Sequence, residues 1–364
     1  MNSHWWSGRK VLITGHTGFK GAWLCLMLQR LGADVHGYSL PPPTDPNLFD
    51  LAGLDKTIVT TNGDVRDLDK LTDAIKRSEA QIVFHMAAQS LVRESYHDPV
   101  GTYATNVMGT VNLLQAVRQA GENVRGVVVV SSDKCYENRE WAWGYREIEP
   151  MGGHDPYSSS KGCAELVTAA MRDSFFQNGA TVIASARAGN VIGGGDWARD
   201  RLIPDMVRSI TAGKPTVIRN PQSIRPWQFV LEPLSGYMAL AQKLVEQGKP
   251  FAEGWNFGPL DEDARPVKWI VDRVVQQWGN GAAWELAKEQ GPHEANYLKL
   301  DASKSRARLD WRPRTNLATA LQWTVDWYKA WQAGKNIRKF SEQQIEHFAQ
   351  LAGECGQTAQ TLRS

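Results

Sequence analysis

An acid and an amine stand side by side at the end of the most apolar run in this 364-residue chain. VVVVSSDKCYE, residues 127–137, places Asp133 and Lys134 behind four valines and two serines. An isolated Asp-Lys pair is ordinarily a solvated turn. At the carboxyl end of a strand in an open α/β sheet it would instead face the crevice where ligands bind, offering a general acid and a general base one residue apart. A second pair follows in PYSSSK, where Tyr157 and Lys161 are four residues apart and share one helical face. A phenol titrates near ~10 when unperturbed and serves as a base near neutrality only beside cations. Lys161 and an oxidised nicotinamide ring would supply such charge, and Ser131 or Ser132 a hydroxyl to orient a substrate alcohol. The tyrosine–lysine spacing alone proves little; its conjunction with the serines ending the preceding strand is what matters.

A third cluster is TGHTGFKG, with Gly15, Gly18 and Gly21 three apart between an apolar run and a helical pattern. Glycines there let backbone N–H groups approach a pyrophosphate, and the helix N-terminus adds a favourable dipole. The spacing differs from GxGxxG, so position carries the reading: the turn opens the first βαβ unit. Asp64, in NGDVRD, is placed either to accept from an adenine amino group or to cap the next helix. NAD sites usually carry an acid after the second strand for the ribose hydroxyls. Only GYS stands here, and Ser39 does not decide NAD against NADP.

The elements that must position these groups follow from periodicity. KVLITG, DVHGYSL, TIVTTNGDV, QIVFHMAAQS, VRGVVVVSS and TVIASARAGNVIG read as six strands. Helices are predicted over FKGAWLCLMLQRLGA, with Gly32 as its stop, over DLDKLTDAIKRS, after Pro99 and over 156–178. This alternation predicts an α/β fold, a doubly wound parallel sheet of Rossmann type over residues 1–188. From 189 to 364 the rhythm breaks into a smaller mixed α/β substrate-binding part, with the chain returning to the first domain around 226–258.

Bulk properties exclude several classes. A net charge of +2 with 22% charged residues and no basic patch argues against a nucleic-acid partner. No apolar run approaches the ~18 residues that span a bilayer, and the early first strand leaves no room for a signal peptide. Cys25, Cys135, Cys163 and Cys355 lack metal-like spacing and read as free thiols in a reducing cytoplasm, with no metal site. The 15 tryptophans read mostly as core or pocket walls.

TGxxGxxG, HMAAQ, TN(x)2GT at 105–110, the serine ending strand five and YxxxK together resemble the extended short-chain dehydrogenase/reductase family, over residues 10 to about 330. The resemblance implies NAD as cofactor. It implies contacts from Gly15, Thr17, Gly18, Phe19, Lys20 and Gly21 in the glycine turn, and from Ser39, Asp64 and Val65 after the next two strands. Ala87, Ala88 and Gln89 of HMAAQ, Asn106, Tyr157 and Lys161 complete the implied set. In that family the segment after strand five separates activities. Epimerases carry small or variable residues there, and nucleotide-sugar 4,6-dehydratases carry Asp-Glu followed soon by Tyr. Asp-Lys-Cys-Tyr departs from the dTDP-glucose and GDP-mannose enzymes. With GYSLPPPTDPNLF and GNVIGGGDWARDRLIPD, it resembles the branch acting on CDP-glucose in deoxysugar biosynthesis.

The chemistry implied by that branch needs both pairs. Oxidation at sugar C4 acidifies the C5 proton; a base removes it, an acid expels the C6 hydroxyl as water, and hydride returned to C6 leaves a 4-keto-6-deoxy sugar. By resemblance Ser132, Tyr157 and Lys161 serve the oxidation, Asp133 is the acid, and Lys134 takes the base position held elsewhere by Glu. Asp133 and Tyr136 are the alternative bases. A lysine base must be neutral, so burial and nearby positive charge have to lower its ~10.4 reference value, and Asp133 has to be protonated. Substrate contacts are implied for Arg93, Asn190, Arg201, Arg219, Arg225, His293 and Tyr297. Arg225, in IRPWQFV, is the strongest of these for a bidentate grip on the diphosphate. WNFG at 255–258 is a candidate wall of the base pocket. A 4-epimerase would share the oxidation and lose no water; a cofactor-sensing regulator would need neither pair. Apolar residues on the helices after Pro99 and Pro156 (Val100, Tyr103, Val107, Val111; Leu166, Val167, Ala170) imply a homodimer or homotetramer built on a four-helix bundle.

Overall fold

The computed structural model describes residues 3–287 and 298–361. The six predicted strands are present as β1 (Lys10–Thr14), β2 (Asp34–Ser39), β3 (Val59–Asn62), β4 (Ile82–His85), β5 (Gly126–Val130) and β6 (Val182–Ala188). After them come β7 (Asn190–Ile192), β8 (Thr216–Ile218), β9 (Ile224–Phe229), β10 (Gly254–Phe257), β11 (Ala264–Pro266) and β12 (Trp284–Leu286). Seven of these form one sheet in the order β10-β6-β5-β4-β1-β2-β3, parallel at every pairing. This is the doubly wound, Rossmann-like architecture. The order reverses between β1 and β4, where crossovers leave from opposite faces and open a crevice at the strands' carboxyl ends.

Burial on both faces explains the valine run. Val128 and Val130 of β5 join the larger hydrophobic cluster, whereas Val127 and Val129 join the smaller one across the sheet. A strand covered on both sides reads as continuous apolar sequence rather than alternation.

Three expectations are corrected. TVIASARAGNVIG is not one strand. It breaks at Gly189, after which β7 joins a separate sheet of order β11-β9-β7. A Cβ at Gly189 would lie 2.9 Å from an Asp133 carboxylate oxygen, so glycine lets the chain turn close to the acid. WNFG is not a pocket wall: it is β10, the seventh strand, and Trp255, Asn256 and Phe257 are wholly buried. The helix after Pro99 is not regular, because Ala104–Met108 winds as a π turn between Pro99–Tyr103 and Gly109–Ala120. No helix among the described residues is long and apolar enough to cross a membrane.

The π turn has a local consequence. Asn106 donates to the Gln89 carbonyl and to the Ser160 hydroxyl, both at 2.9 Å, and accepts from the Gln89 N–H at 2.9 Å. One buried amide thus ties the loop after β4 to the helix Pro156–Phe175. Removing it leaves buried groups unpaired, each costing about 1–3 kcal/mol. Asn106→Ala is therefore expected to lose about 2–4 kcal/mol of stability by urea unfolding; a loss below ~0.5 kcal/mol would contradict this account.

Candidate active site

At the switch point the ends of β1 and β4 are stitched together. The Thr14 hydroxyl accepts from the N–H groups of Met86 and Ala87, each at 3.2 Å, and pairs with His85 Nδ1 at 2.8 Å. Gly15 has φ +73°, and a Cβ there would fall 2.7 Å from the Ala87 nitrogen. A Cβ on Gly21 would fall 2.2 Å from the Gly15 carbonyl oxygen, so this glycine lets the helix Phe19–Arg30 seat against the turn. Gly18, at the N-cap, is different: a Cβ would meet only the Gly15 oxygen, at 3.4 Å. No side chain caps the helix, so its first N–H groups and dipole face the crevice over an open glycine surface. That cradle fits a dinucleotide's pyrophosphate.

The flanking residues fall around this cradle. The Thr17 hydroxyl donates to the Leu40 carbonyl and lies 2.9 Å from the Ser39 hydroxyl, joining the turn to the end of β2. Asp64 does not cap the helix Leu68–Ser78; Asp67 does. The Asp64 carboxylate instead grips Arg66, which holds it below its ordinary pKa, and Val65 beside it is buried. Ala87, Ala88 and Gln89 form the loop that Asn106 pins. Lys20 is half-buried, and burial, with Lys161 and Arg201 nearby, pushes its ammonium down to about 8.

The four chemical groups singled out after β5 and on the following helix come together. Asp155 caps the helix Pro156–Phe175, fixing where Tyr157 and Lys161 emerge. Lys161 donates to the Val130 carbonyl at 3.1 Å, and burial pushes it down to about 8 against the pull of Glu165. Burial raises the Tyr157 phenol to about 12; a hydrogen bond with Ser132 and the Arg201 charge work against that rise, and Asp133 reinforces it. Asp133 is buried and accepts from the Ser132 hydroxyl at 2.9 Å. Lys134 follows in the tight turn Asp133–Cys135. It is only half-buried and forms no ion pair among the described residues, whereas Asp133 is buried. Tyr136 faces away from chemistry. Its hydroxyl donates to Asn256 at 2.8 Å and accepts from Arg187 at 2.6 Å, and burial lifts it far above the usual phenol range. It drops out as a base.

The anticipated substrate residues are only partly gathered. Arg201 bonds Asp196 at 2.9 Å and the Ser90 hydroxyl at 3.0 Å, beside Gln89 and near the Tyr157 phenol. Arg93 pairs with Asp200 at 2.9 Å on the same flank. Asn190 pairs in register with Trp227, two residues after Arg225, so Asn190 and Arg225 project from one face of the small sheet. Across the strand, Arg225 stands opposite Arg265. Arg265 is not singled out by any local motif; only the pairing of β9 with β11 brings it there. Arg219 follows β8, which pairs with β12 in a separate two-stranded sheet. His293 and Tyr297 lie outside the described residues.

The chain belongs to the family described as GDP-mannose 4,6 dehydratase, which matches residues 12–324. Within it, the chain is 55% identical over 354 residues to CDP-glucose 4,6-dehydratase of Salmonella typhimurium, covering 96% of this chain and 98% of that one. It is 25% identical to a probable dTDP-glucose 4,6-dehydratase of Sinorhizobium fredii, over 88% of this chain and 92% of the other. Among solved structures, the dTDP-glucose 4,6-dehydratase DesIV of Streptomyces venezuelae, with NAD bound, matches with a TM-score of 0.76 at 25% identity, covering 89% of this chain and 98% of that one. A UDP-glucose-4-epimerase from Stenotrophomonas maltophila, also with NAD, reaches 0.78 at 21% identity, covering 90% and 99%. Dehydratases and epimerases share this fold, so the fold alone does not separate them.

The buried lysine yields a test that needs no substrate. Lys161 loses its proton near 8 in the folded chain, against an ordinary value of 10.5. Between those values the unfolded chain binds more protons, so stability rises with pH across that window. Below it, the buried charge costs about 1–3 kcal/mol once the lost Val130 bond is allowed for. Lys161→Met is expected to be more stable than the parent at neutral pH, with the gap closing as the pH climbs through the window. Urea unfolding across that range checks it, and a variant less stable than the parent at neutral pH would refute it.

Proposed function

We propose that this chain is a CDP-glucose 4,6-dehydratase working with NAD, converting CDP-glucose to CDP-4-keto-6-deoxyglucose and water. The reading is carried by the near full-length identity to such an enzyme, together with an Asp133–Lys134 turn set against Tyr157 and Lys161. The turn at Gly15, Gly18 and Gly21 and the uncapped start of the helix Phe19–Arg30 would hold NAD, which would supply the hydride acceptor for sugar C4 and the hydride donor for C6. The protein's residues handle the protons. The Ser132 hydroxyl orients the C4 hydroxyl, and the Tyr157 phenolate removes its proton, with Ser132 and Arg201 working against the burial that disfavours the phenolate and Lys161 one helical turn on. Lys134 takes the C5 proton, and its partial exposure lets that proton exchange with water. Asp133, buried, delivers a proton to the departing C6 oxygen. Ser132 links the steps: its single proton can serve the Tyr157 phenolate or Asp133, not both. Asn190 and Arg225, from their common face, are assigned to the substrate diphosphate.

The setting follows from other observations. Cys25, Cys135 and Cys163 are free thiols, which suits a reducing cytoplasm. Val100, Met108 and Leu166 are 78%, 51% and 60% exposed on the helices following Pro99 and Pro156, an apolar face suited to a second copy of the chain. Light scattering at micromolar concentration is expected to give a dimer or a dimer of dimers; a monomer would overturn that assembly.

The activity is tested by incubation with CDP-, dTDP-, UDP- and GDP-sugars. CDP-glucose is expected to yield the 4-keto-6-deoxy product without net reduced cofactor, whereas a product that keeps its C6 hydroxyl would make the chain an epimerase. Lys134→Met should lower turnover by about 10²–10⁴-fold while leaving C4 oxidation intact, and should lose deuterium wash-in at C5. Asp133→Asn should keep the wash-in and slow water loss. Wash-in at the parent rate in Lys134→Met would remove lysine as the base.

A further inference from the structure

Behind the crevice runs a chain of buried polar groups that touch no reacting atom. Arg187, on β6, donates to the Glu165 carboxylate at 2.8 Å and to the Tyr136 hydroxyl at 2.6 Å. The Glu165 and Arg187 side chains are only 4% and 6% exposed. Glu165 also accepts from the Ser185 hydroxyl at 2.6 Å. Burial alone would raise the Glu165 carboxyl, but Arg187 holds it below its ordinary value, so the pair is ionic. At the far end, the Tyr136 hydroxyl donates to Asn256 of β10, whose amide donates in turn to the carbonyls of Tyr145 and Asp301 at 2.8 and 3.1 Å. Room for the guanidinium comes from Gly254, where a Cβ would fall 2.4 Å from an Arg187 nitrogen.

The sequence positions make this chain mechanical. Glu165 lies one helical turn beyond Lys161, on the helix that also carries Tyr157. Tyr136 immediately follows the turn Asp133–Cys135. Arg187 therefore connects the element bearing the oxidation pair to the segment bearing the elimination pair. Two ions buried this deeply carry a desolvation cost that apolar residues of similar volume would avoid. Glu165 Oε1 and Arg187 Nε are left without a hydrogen-bond partner among the described residues, while the directed bonds the pair does make fix geometry more uniquely than apolar packing does. We propose that Glu165, Arg187 and Tyr136 form a positioning clamp that holds the acid and base at residues 133 and 134 in register with Tyr157 and Lys161.

This inference rests on the dehydratase reading, and the test separates the two. Tyr136→Phe keeps the ring and removes both hydroxyl bonds. Arg187→Lys keeps the charge but loses the planar fork that reaches Tyr136 and Glu165 together. In both variants kcat with CDP-glucose is expected to fall roughly tenfold or more with KM within about twofold, because misplacing a catalytic group by about an ångström can cost on the order of 10²-fold. Oxidation should outlast elimination, so reduced cofactor accumulates during turnover while C5 deuterium wash-in slows. Simple loss of folded enzyme lowers both signals together and leaves their ratio at the parent value. An unchanged ratio in either folded variant overturns the clamp and leaves the dehydratase reading standing. A parent that never dehydrates CDP-glucose overturns both.

Discussion

Every strand of a parallel sheet ends on the same edge, and that constraint organises the molecule. The glycine turn leaves β1, the Ala87–Gln89 loop leaves β4, and the Ser131–Lys134 segment leaves β5, all at one rim. The reversal of strand order between β1 and β4 opens that rim instead of covering it with a crossover. Thr14 then narrows the gap by bonding two N–H groups of the neighbouring loop. Close approach there excludes any side chain at residue 15. The proposed phosphate cradle and the proposed catalytic groups share a rim because the sheet leaves them no other place to go.

Burial at this rim works against the chemistry it shelters. It disfavours the charged form of both Lys161 and Tyr157, lowering one and raising the other. Fixed partners oppose these shifts without cancelling them: Ser132 and Arg201 against the rise at Tyr157, Glu165 against the fall at Lys161. Arg201 is in turn oriented by Asp196 and Ser90. The large two-sided core, with four valines of β5 covered on both faces, supplies the stability that tolerates such a site.

Much of this was written locally. Alternating strands and helices, the glycine turn and the tyrosine–lysine spacing are short-range patterns, and apart from the break at Gly189 and the π turn at Ala104–Met108 each lies where the sequence pattern placed it. Long-range partners were hidden. Four residues of GWNF carry too little pattern to announce a seventh strand, and only pairing with β6 buries Asn256. The π turn at Asn106 answers to Gln89 and Ser160, both distant in sequence. Of the two acids before the helix Leu68–Ser78, Asp67 wins the cap because Lys70 N–H lies three residues on, while Arg66 engages Asp64. Side-chain identities at the site were legible; the exposure of Lys134 and the carboxylate partners of Arg93 and Arg201 required the fold.

The late arrival of β10 bears on how the chain is made. During synthesis β6 emerges with residues 189–253 still to come, and its outer edge has no neighbour until Gly254–Phe257 is released. That edge borders a strand buried along nearly its whole length, the kind of open template that invites pairing with another chain. Closing so distant a parallel contact is slow in comparison with local hairpins and helices. The nascent protein therefore passes through a stage with an unsealed sheet margin, the kind of unpaired edge that makes a folding intermediate prone to aggregate, and a truncation ending before residue 254 would leave that margin open permanently.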